Sequence, residues 1–126
     1  MIIALSSSGK NLESNVDPRF GRCPYFIIYN TDSDAFEVVD NEARQAMGGA
    51  GIQAGQAIAK TGAKAVITGN VGPNAHRVMS SSQIDIYTGV SGKIRDAIER
   101  FKKGDFNKSD APNVESHHGM GRGTIN

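Results

Sequence analysis

The sequence predicts an α/β domain: a mixed, mostly parallel five-stranded sheet with helices covering its faces. Three observations predict it. Short apolar runs of strand length recur along the chain, the second and third are joined by turn chemistry alone, and the later runs alternate with helix-length segments. A hairpin followed by helix-linked strands requires one reversed strand in an otherwise parallel sheet.

Residues 2–6 (Ile-Ile-Ala-Leu-Ser) are too short and too apolar for anything but a buried strand. Residues 9–24 are rich in Gly, Asn, Asp, Pro and Ser without periodicity, which predicts a long loop. Residues 25–30 (Tyr-Phe-Ile-Ile-Tyr-Asn) are aromatic and β-branched, as strands prefer. Thr31-Asp32-Ser33-Asp34 turns the chain into a returning strand at 35–40.

After Gly48-Gly49-Ala50-Gly51, the Ala-rich stretch to Lys60 favours a first helix, with Gly62 as its stop. Strand 64–68 follows, then Gly69-Asn70-Val71-Gly72-Pro73, with Pro73 suited to the first turn of a second helix ending near Ser80–Ser82. Strand 84–88 leads to Ser91, a suitable N-cap for a third helix. Ile94, Ala97, Ile98 and Phe101 fall on one face of that helix, and Gly104 ends it.

The predicted strand order is 3-2-1-4-5, with strand 2 antiparallel to the rest. The chain walks outward from strand 1 and then crosses to its other side. Strands 1 and 4 therefore flank a topological switch point, where open α/β sheets bind ligands. The expected organisation is one domain over residues 1–104 and a flexible tail over 105–126, where Asp, Asn, Ser, Gly and His dominate.

Composition narrows the function classes. The 126 residues carry 14 basic and 13 acidic side chains, a net charge of +1, which gives no long-range pull on nucleic acid or an acidic membrane. Basic residues cluster between Lys93 and Lys103, but Asp96 and Glu99 are interleaved, as on a solvated helix face. A single cysteine excludes an internal disulfide. The opening apolar run is too short for a signal peptide, and no run is long enough to span a bilayer, so the expected compartment is the cytoplasm.

The topology selects candidate site residues. One sheet edge should collect five segments: Ser6–Gly9, Arg19–Pro24, Gly48–Gly51, Gly69–Asn74 and Gly89–Ser91. Glycine loops and helix N-termini present backbone N–H groups to an anion. Gly69 and Gly89 alone read better as tight turns that need no ligand, whereas Gly48-Gly49-Ala50-Gly51 reads either way. None is a phosphate loop, because no Lys-Ser or Lys-Thr follows the glycines.

Cys23, in Arg19-Phe20-Gly21-Arg22-Cys23-Pro24, has two nearby arginines that would favour thiolate, the soft ligand of copper, zinc and iron–sulfur clusters. Its other reading is a small buried hydrophobe. A four-cysteine cluster site within one chain is excluded. His76 reads as structural. His117-His118 can catch a metal ion, or belong to a tail of no fixed role. Catalysis finds little support. Ser6–Ser8 lack a partner histidine at any defensible spacing, and strand 1 lacks the carboxylate that a ribonuclease H-type two-metal site needs.

Asp17-Pro18-Arg19-Phe20-Gly21-Arg22-Cys23-Pro24-Tyr25-Phe26, Gly48-Gly49-Ala50-Gly51 and Gly69-Asn70-Val71-Gly72-Pro73-Asn74-Ala75 resemble the dinitrogenase iron–molybdenum cofactor biosynthesis family, over residues 1 to about 103. The resemblance implies a ribonuclease H-like three-layer fold and non-enzymatic binding or carriage of iron–sulfur or molybdenum-containing clusters. Orange proteins of this family hold a molybdenum–copper–sulfide cluster non-covalently. Nitrogenase-associated members carry His-Phe-Gly, with that histidine a cofactor ligand, where this chain has Arg19-Phe20-Gly21. Arginine has no lone pair to offer a metal, but it attracts an anionic cluster.

The residues expected to meet the cargo are Arg19, Phe20, Gly21, Arg22, Cys23, Gly49, Gly51, Gly69, Gly72 and Asn74, with Cys23 as a direct metal ligand. The expected partners are the cluster itself and a cluster-assembly or ATPase protein. The alternative is a metal-free module that binds a protein or small anion alongside such an ATPase.

Overall fold

Strand β1 (Ile2–Ser7) lies at the centre of a five-stranded sheet ordered β3-β2-β1-β4-β5. In the computed structural model, which describes residues 1–114, β2 (Tyr25–Asn30) pairs antiparallel with β1 and with β3 (Phe36–Asp40). On the other side, β1 pairs parallel with β4 (Ala65–Ile67), and β4 with β5 (Asp85–Tyr87). The predicted order and the single reversed strand both hold.

Period-2 alternation sorts the strand side chains into two cores. Ala4, Phe26, Ile28, Val66 and Ile86 face one layer, built by helices α1 (Ala50–Lys60) and α2 (Pro73–Ser81). Ile3, Leu5, Ile27, Tyr29 and Ile67 face the other, built by α3 (Ile94–Lys102). Ile94, Ala97 and Ile98 form the buried stripe that the helical spacing predicts. The result is three layers with helices on both faces, compatible with a ribonuclease H-like arrangement.

Three expectations need correction. The cap of α3 is Lys93 rather than Ser91, and no side chain caps it. The long loop does this work instead: Ile94 N–H donates to the Ser14 carbonyl at 2.8 Å and Arg95 N–H to that of Leu12 at 2.9 Å.

Second, the long loop does not leave the switch point open. Val16 is buried in the α3-side core and Phe20 in the α1/α2-side core, so the loop is pinned on both faces. Between those anchors, Asp17 N–H donates to the Ser6 carbonyl at 2.8 Å and Val16 N–H to that of Gly92 at 2.8 Å. Ser6 Oγ lies 2.7 Å from both the Asp17 carbonyl and Thr68 Oγ1. The ends of β1 and β5 are thus covered by the chain's own backbone.

Third, the segment after Gly104 is not free from residue 105 onward. Phe106 stacks near Tyr87, with centroids 6.3 Å apart, and under the guanidinium of Arg100. Ser109 N–H donates to the Ile86 carbonyl at 2.7 Å, and Asn113 N–H to that of Val71 at 3.1 Å. Isolated apolar residues in a polar stretch thus anchor a strap over 105–114. His117-His118 lies outside the described residues. Among the described residues, no helix is long and apolar enough to cross a membrane.

Candidate functional site

The first turns of α1 and α2 open side by side into a cleft of about 330 Å³. Gly51 permits this approach: a Cβ there would stand 3.1 Å from that of Ala75, while one on Gly21 would stand 3.0 Å from the Gly51 nitrogen. Loop, α1 and α2 therefore meet with backbone close to backbone.

The helix ends leave donors free. Gly49, with φ 73, is the N-cap of α1, and Gly72 that of α2; neither supplies a capping side chain. The amides of Ala50, Gly51, Ile52, Asn74 and Ala75 have no hydrogen-bond partner among the described residues. All belong to residues lining the cleft. Unpaired first-turn amides and the positive ends of two helices favour an anion.

Arg19 and Arg22 line the same cleft. Arg19 is held by Asp17, whose Oδ1 accepts from the Arg19 backbone N–H at 2.9 Å and from Nε at 3.2 Å. Asp17 is buried, whereas the Arg19 side chain is 61% exposed, and this hydrogen-bonded pairing holds the guanidinium pKa above its ordinary value. Arg22 donates to the carbonyls of Arg44 at 2.7 Å and Ala46 at 2.8 Å, so it also closes the end of the short 3-10 turn Glu42–Gln45. No Asp, Glu, Cys or His among the described residues lines the cleft.

Of the predicted site residues, Arg19, Phe20, Gly21, Arg22, Gly49, Gly51, Gly72 and Asn74 line the cleft. Gly69 does not. A Cβ there would fall 2.6 Å from Pro18 Cα, so this glycine admits the loop that covers β4 rather than a ligand. Of the five segments expected at the rim, those at Ser6–Gly9 and Gly89–Ser91 lie outside it, beneath or beside the covering loop.

The surroundings of Cys23 favour the thiol over the expected thiolate. The side chain is fully buried in the α1/α2-side core and does not line the cleft. Burial, reinforced by the nearby Asp17 charge, pushes its thiol up to about 12. Its S–H donates to the Phe20 carbonyl at 3.3 Å. The adjacent Arg22 donates to the Arg44 and Ala46 carbonyls rather than to the thiol. In this structure Cys23 packs as a small buried hydrophobe, the other reading its sequence context offered. His76 is also buried, with Nδ1 3.3 Å from Ser80 Oγ, and it too lies outside the cleft. Among the described residues, no group of three or more His, Cys, Asp and Glu could hold a metal ion.

Sequence reasoning did not name Val114, whose side chain closes the α2 wall beside Gly72. Its signal was faint: one branched apolar residue in Ala111-Pro112-Asn113-Val114. Ala50, Ile52, Asn70, Pro73 and Ala75 also line the cleft, and all of them lie within or beside the glycine motifs.

The family model for dinitrogenase iron-molybdenum cofactor proteins matches residues 1–104. An uncharacterised protein of Methanocaldococcus jannaschii is 33% identical over 98 residues, covering 75% of this chain and 83% of that protein. The apo form of the orange protein from Desulfovibrio gigas superimposes with a TM-score of 0.87 at 36% identity, covering 89% of this chain and 95% of that one. A Thermotoga protein provisionally described as NifB superimposes with a TM-score of 0.75 at 36% identity, covering 85% and 91%. With the family model matching the α/β domain from its first strand to the end of its last helix, the chain belongs to the dinitrogenase iron-molybdenum cofactor family.

Proposed function

We propose that the cleft binds and carries an anionic metal–sulfur cluster, iron–sulfur or molybdenum-containing, without catalysing a reaction on it. One observation carries this reading. Two helix N-termini with unpartnered amides face Arg19 and Arg22 across a cleft that no carboxylate of the described residues lines. Amides and guanidinium groups donate hydrogen bonds to the outer sulfur or oxygen atoms of such a cargo and offset its charge. Since the described cleft residues offer no thiolate or imidazole, they would hold the cargo by its anionic surface. A carrier of this kind would work in the cytoplasm beside a cluster-assembly or ATPase protein.

A second reading has its own support: a cleft without metal-binding side chains also suits a small anion with no metal, in a module that binds a partner. Anaerobic reconstitution with iron, sulfide and molybdate, followed by elemental analysis, separates the two. Carriage predicts a coloured protein with metal and sulfide in fixed ratio. Arg19→Gln and Arg22→Gln each weaken retention by about three- to tenfold, and added salt weakens it further. Colourless, metal-free protein after reconstitution overturns carriage in favour of the metal-free module.

A further inference from the structure

Edge strand β3 uses only half of its backbone hydrogen-bonding groups. Its ladder with β2 is framed by two bonds, Asn30 N–H to the Ala35 carbonyl at 2.9 Å and Asn41 N–H to the Pro24 carbonyl at 3.0 Å. In an antiparallel ladder alternate residues turn their backbone toward the neighbouring strand, so Ala35, Glu37, Val39 and Asn41 face β2. The N–H and C=O groups of Phe36, Val38 and Asp40 point outward, and they have no partner among the described residues.

The side chains at this edge are partly apolar. Of the four large apolar side chains exposed among the described residues, two lie on β3: Phe36 at 42% and Val39 at 36%. A groove of about 330 Å³ runs between β3 and α1, lined by buried Phe26, Ile28 and Ile58 and by exposed Val39 and Ala57. It is separate from the cleft, since no residue lines both. Open backbone beside an apolar groove recruits a further strand.

Charge decides which strand. Among the described residues, the charged side chains that line the groove are Asp40 and Glu42, both acidic. Glu37 is exposed on the same strand, and none of these three carboxylates is in an ion pair among the described residues. A second copy of β3 would bring its own carboxylates up to these and be repelled. A segment with lysine or arginine between apolar residues meets them with opposite charge.

We infer that the β3 edge and its groove dock an extended basic segment of a partner protein, which joins the five-stranded sheet as a sixth strand. This surface is independent of what the cleft carries. Both use α1: Gln53, Ala57 and Ile58 line the groove, and Ala50, Gly51 and Ile52 the cleft. A partner held at β3 therefore stands beside the cleft without filling it.

The test adds a synthetic peptide of alternating valine and lysine to the full chain and reads amide hydrogen exchange. Millimolar peptide should slow exchange at Phe36, Val38 and Asp40 by about tenfold and leave the cleft amides of Gly51 and Asn74 unchanged. A peptide of alternating valine and glutamate should protect nothing. Glu37→Gln/Asp40→Asn/Glu42→Gln, all at exposed positions, should weaken the lysine peptide by about tenfold, and added salt should weaken the wild-type complex. Val38→Pro removes one outward N–H and no bond to β2, so the β1 amides should stay protected while the peptide no longer binds. Should the proline variant unfold, the charge variant alone discriminates. Absence of protection, protection by both peptides alike, or binding unchanged in the charge variant overturns the docking surface. So does a dimer of the free chain that already protects the three outward amides.

Discussion

Asn113 and Val71 pair as two strand residues do: Asn113 N–H donates to the Val71 carbonyl at 3.1 Å, and Val71 N–H donates to Asn113 Oδ1 at 2.7 Å. The side chain substitutes for a backbone carbonyl, closing a small ring of hydrogen bonds at the α2 entry. Through this pair, a segment outside the five-stranded sheet becomes part of the cleft wall.

Asn113→Ala removes the acceptor for Val71 N–H, on a residue only 1% exposed. A buried donor left unpaired costs about 1–3 kcal/mol, which frees the strap before it unfolds the sheet. Hydrogen exchange should quicken at Val71 and Ser109 while the central β1 amides keep their protection. Unchanged exchange at Val71 would show that Asn113 is not the tether.

Gly69→Ala forces a methyl group to within 2.6 Å of Pro18 Cα and 3.0 Å of the Pro18 carbonyl oxygen, both backbone atoms. Neither can swing aside, because Pro18 O accepts from Asn70 N–H at 2.7 Å and Phe20 N–H reaches Asn70 O at 3.2 Å. The expected loss is about 1–3 kcal/mol, seen as a Tm lower by roughly 4 °C per kcal/mol. Gly48→Ala, with open space around the added methyl, should change Tm by less than about 2 °C. Equal effects at the two sites would refute the close-approach role of Gly69.

Cys23 makes stability depend on alkaline pH. Its thiol is raised from 9.0 to about 12 by folding, so the folded state holds a proton that the unfolded chain releases above pH 9. The stabilisation is complete below pH 9. It is lost as pH rises toward 12, at about 1.4 kcal/mol per pH unit. Cys23→Ala removes this dependence and costs about 1 kcal/mol of packing near neutrality. Urea midpoints should therefore favour the wild type at pH 7–8 and the variant by pH 11. Parallel curves for the two proteins would mean the thiol is accessible. Reconstituted Cys23→Ala should keep its colour, since the thiol does not line the cleft.

Local pattern made most of the fold legible. Continuous apolar runs at 2–6 and 25–30 announced both strands as buried on two faces, because side chains in a strand alternate between faces by geometry alone. Strand order followed from the tight turn at 31–34 and the helical crossovers, since a hairpin and a crossover each permit few arrangements. Most cleft residues were legible for the same reason: glycine motifs sit where strands pass into helices.

What the sequence by itself determined is therefore the sheet, its order and the two helix entries, since periodicity and short connections are properties of neighbouring residues. Only the tertiary structure decided which entries stay open. The loop over Ser6 and Asp17 closes the switch point and caps α3, Cys23 is buried in the core against the Phe20 carbonyl, and Asn113 brings Val114 to the cleft. Each depends on contacts between residues far apart in the chain, where burial outweighs the charges written beside a residue in sequence.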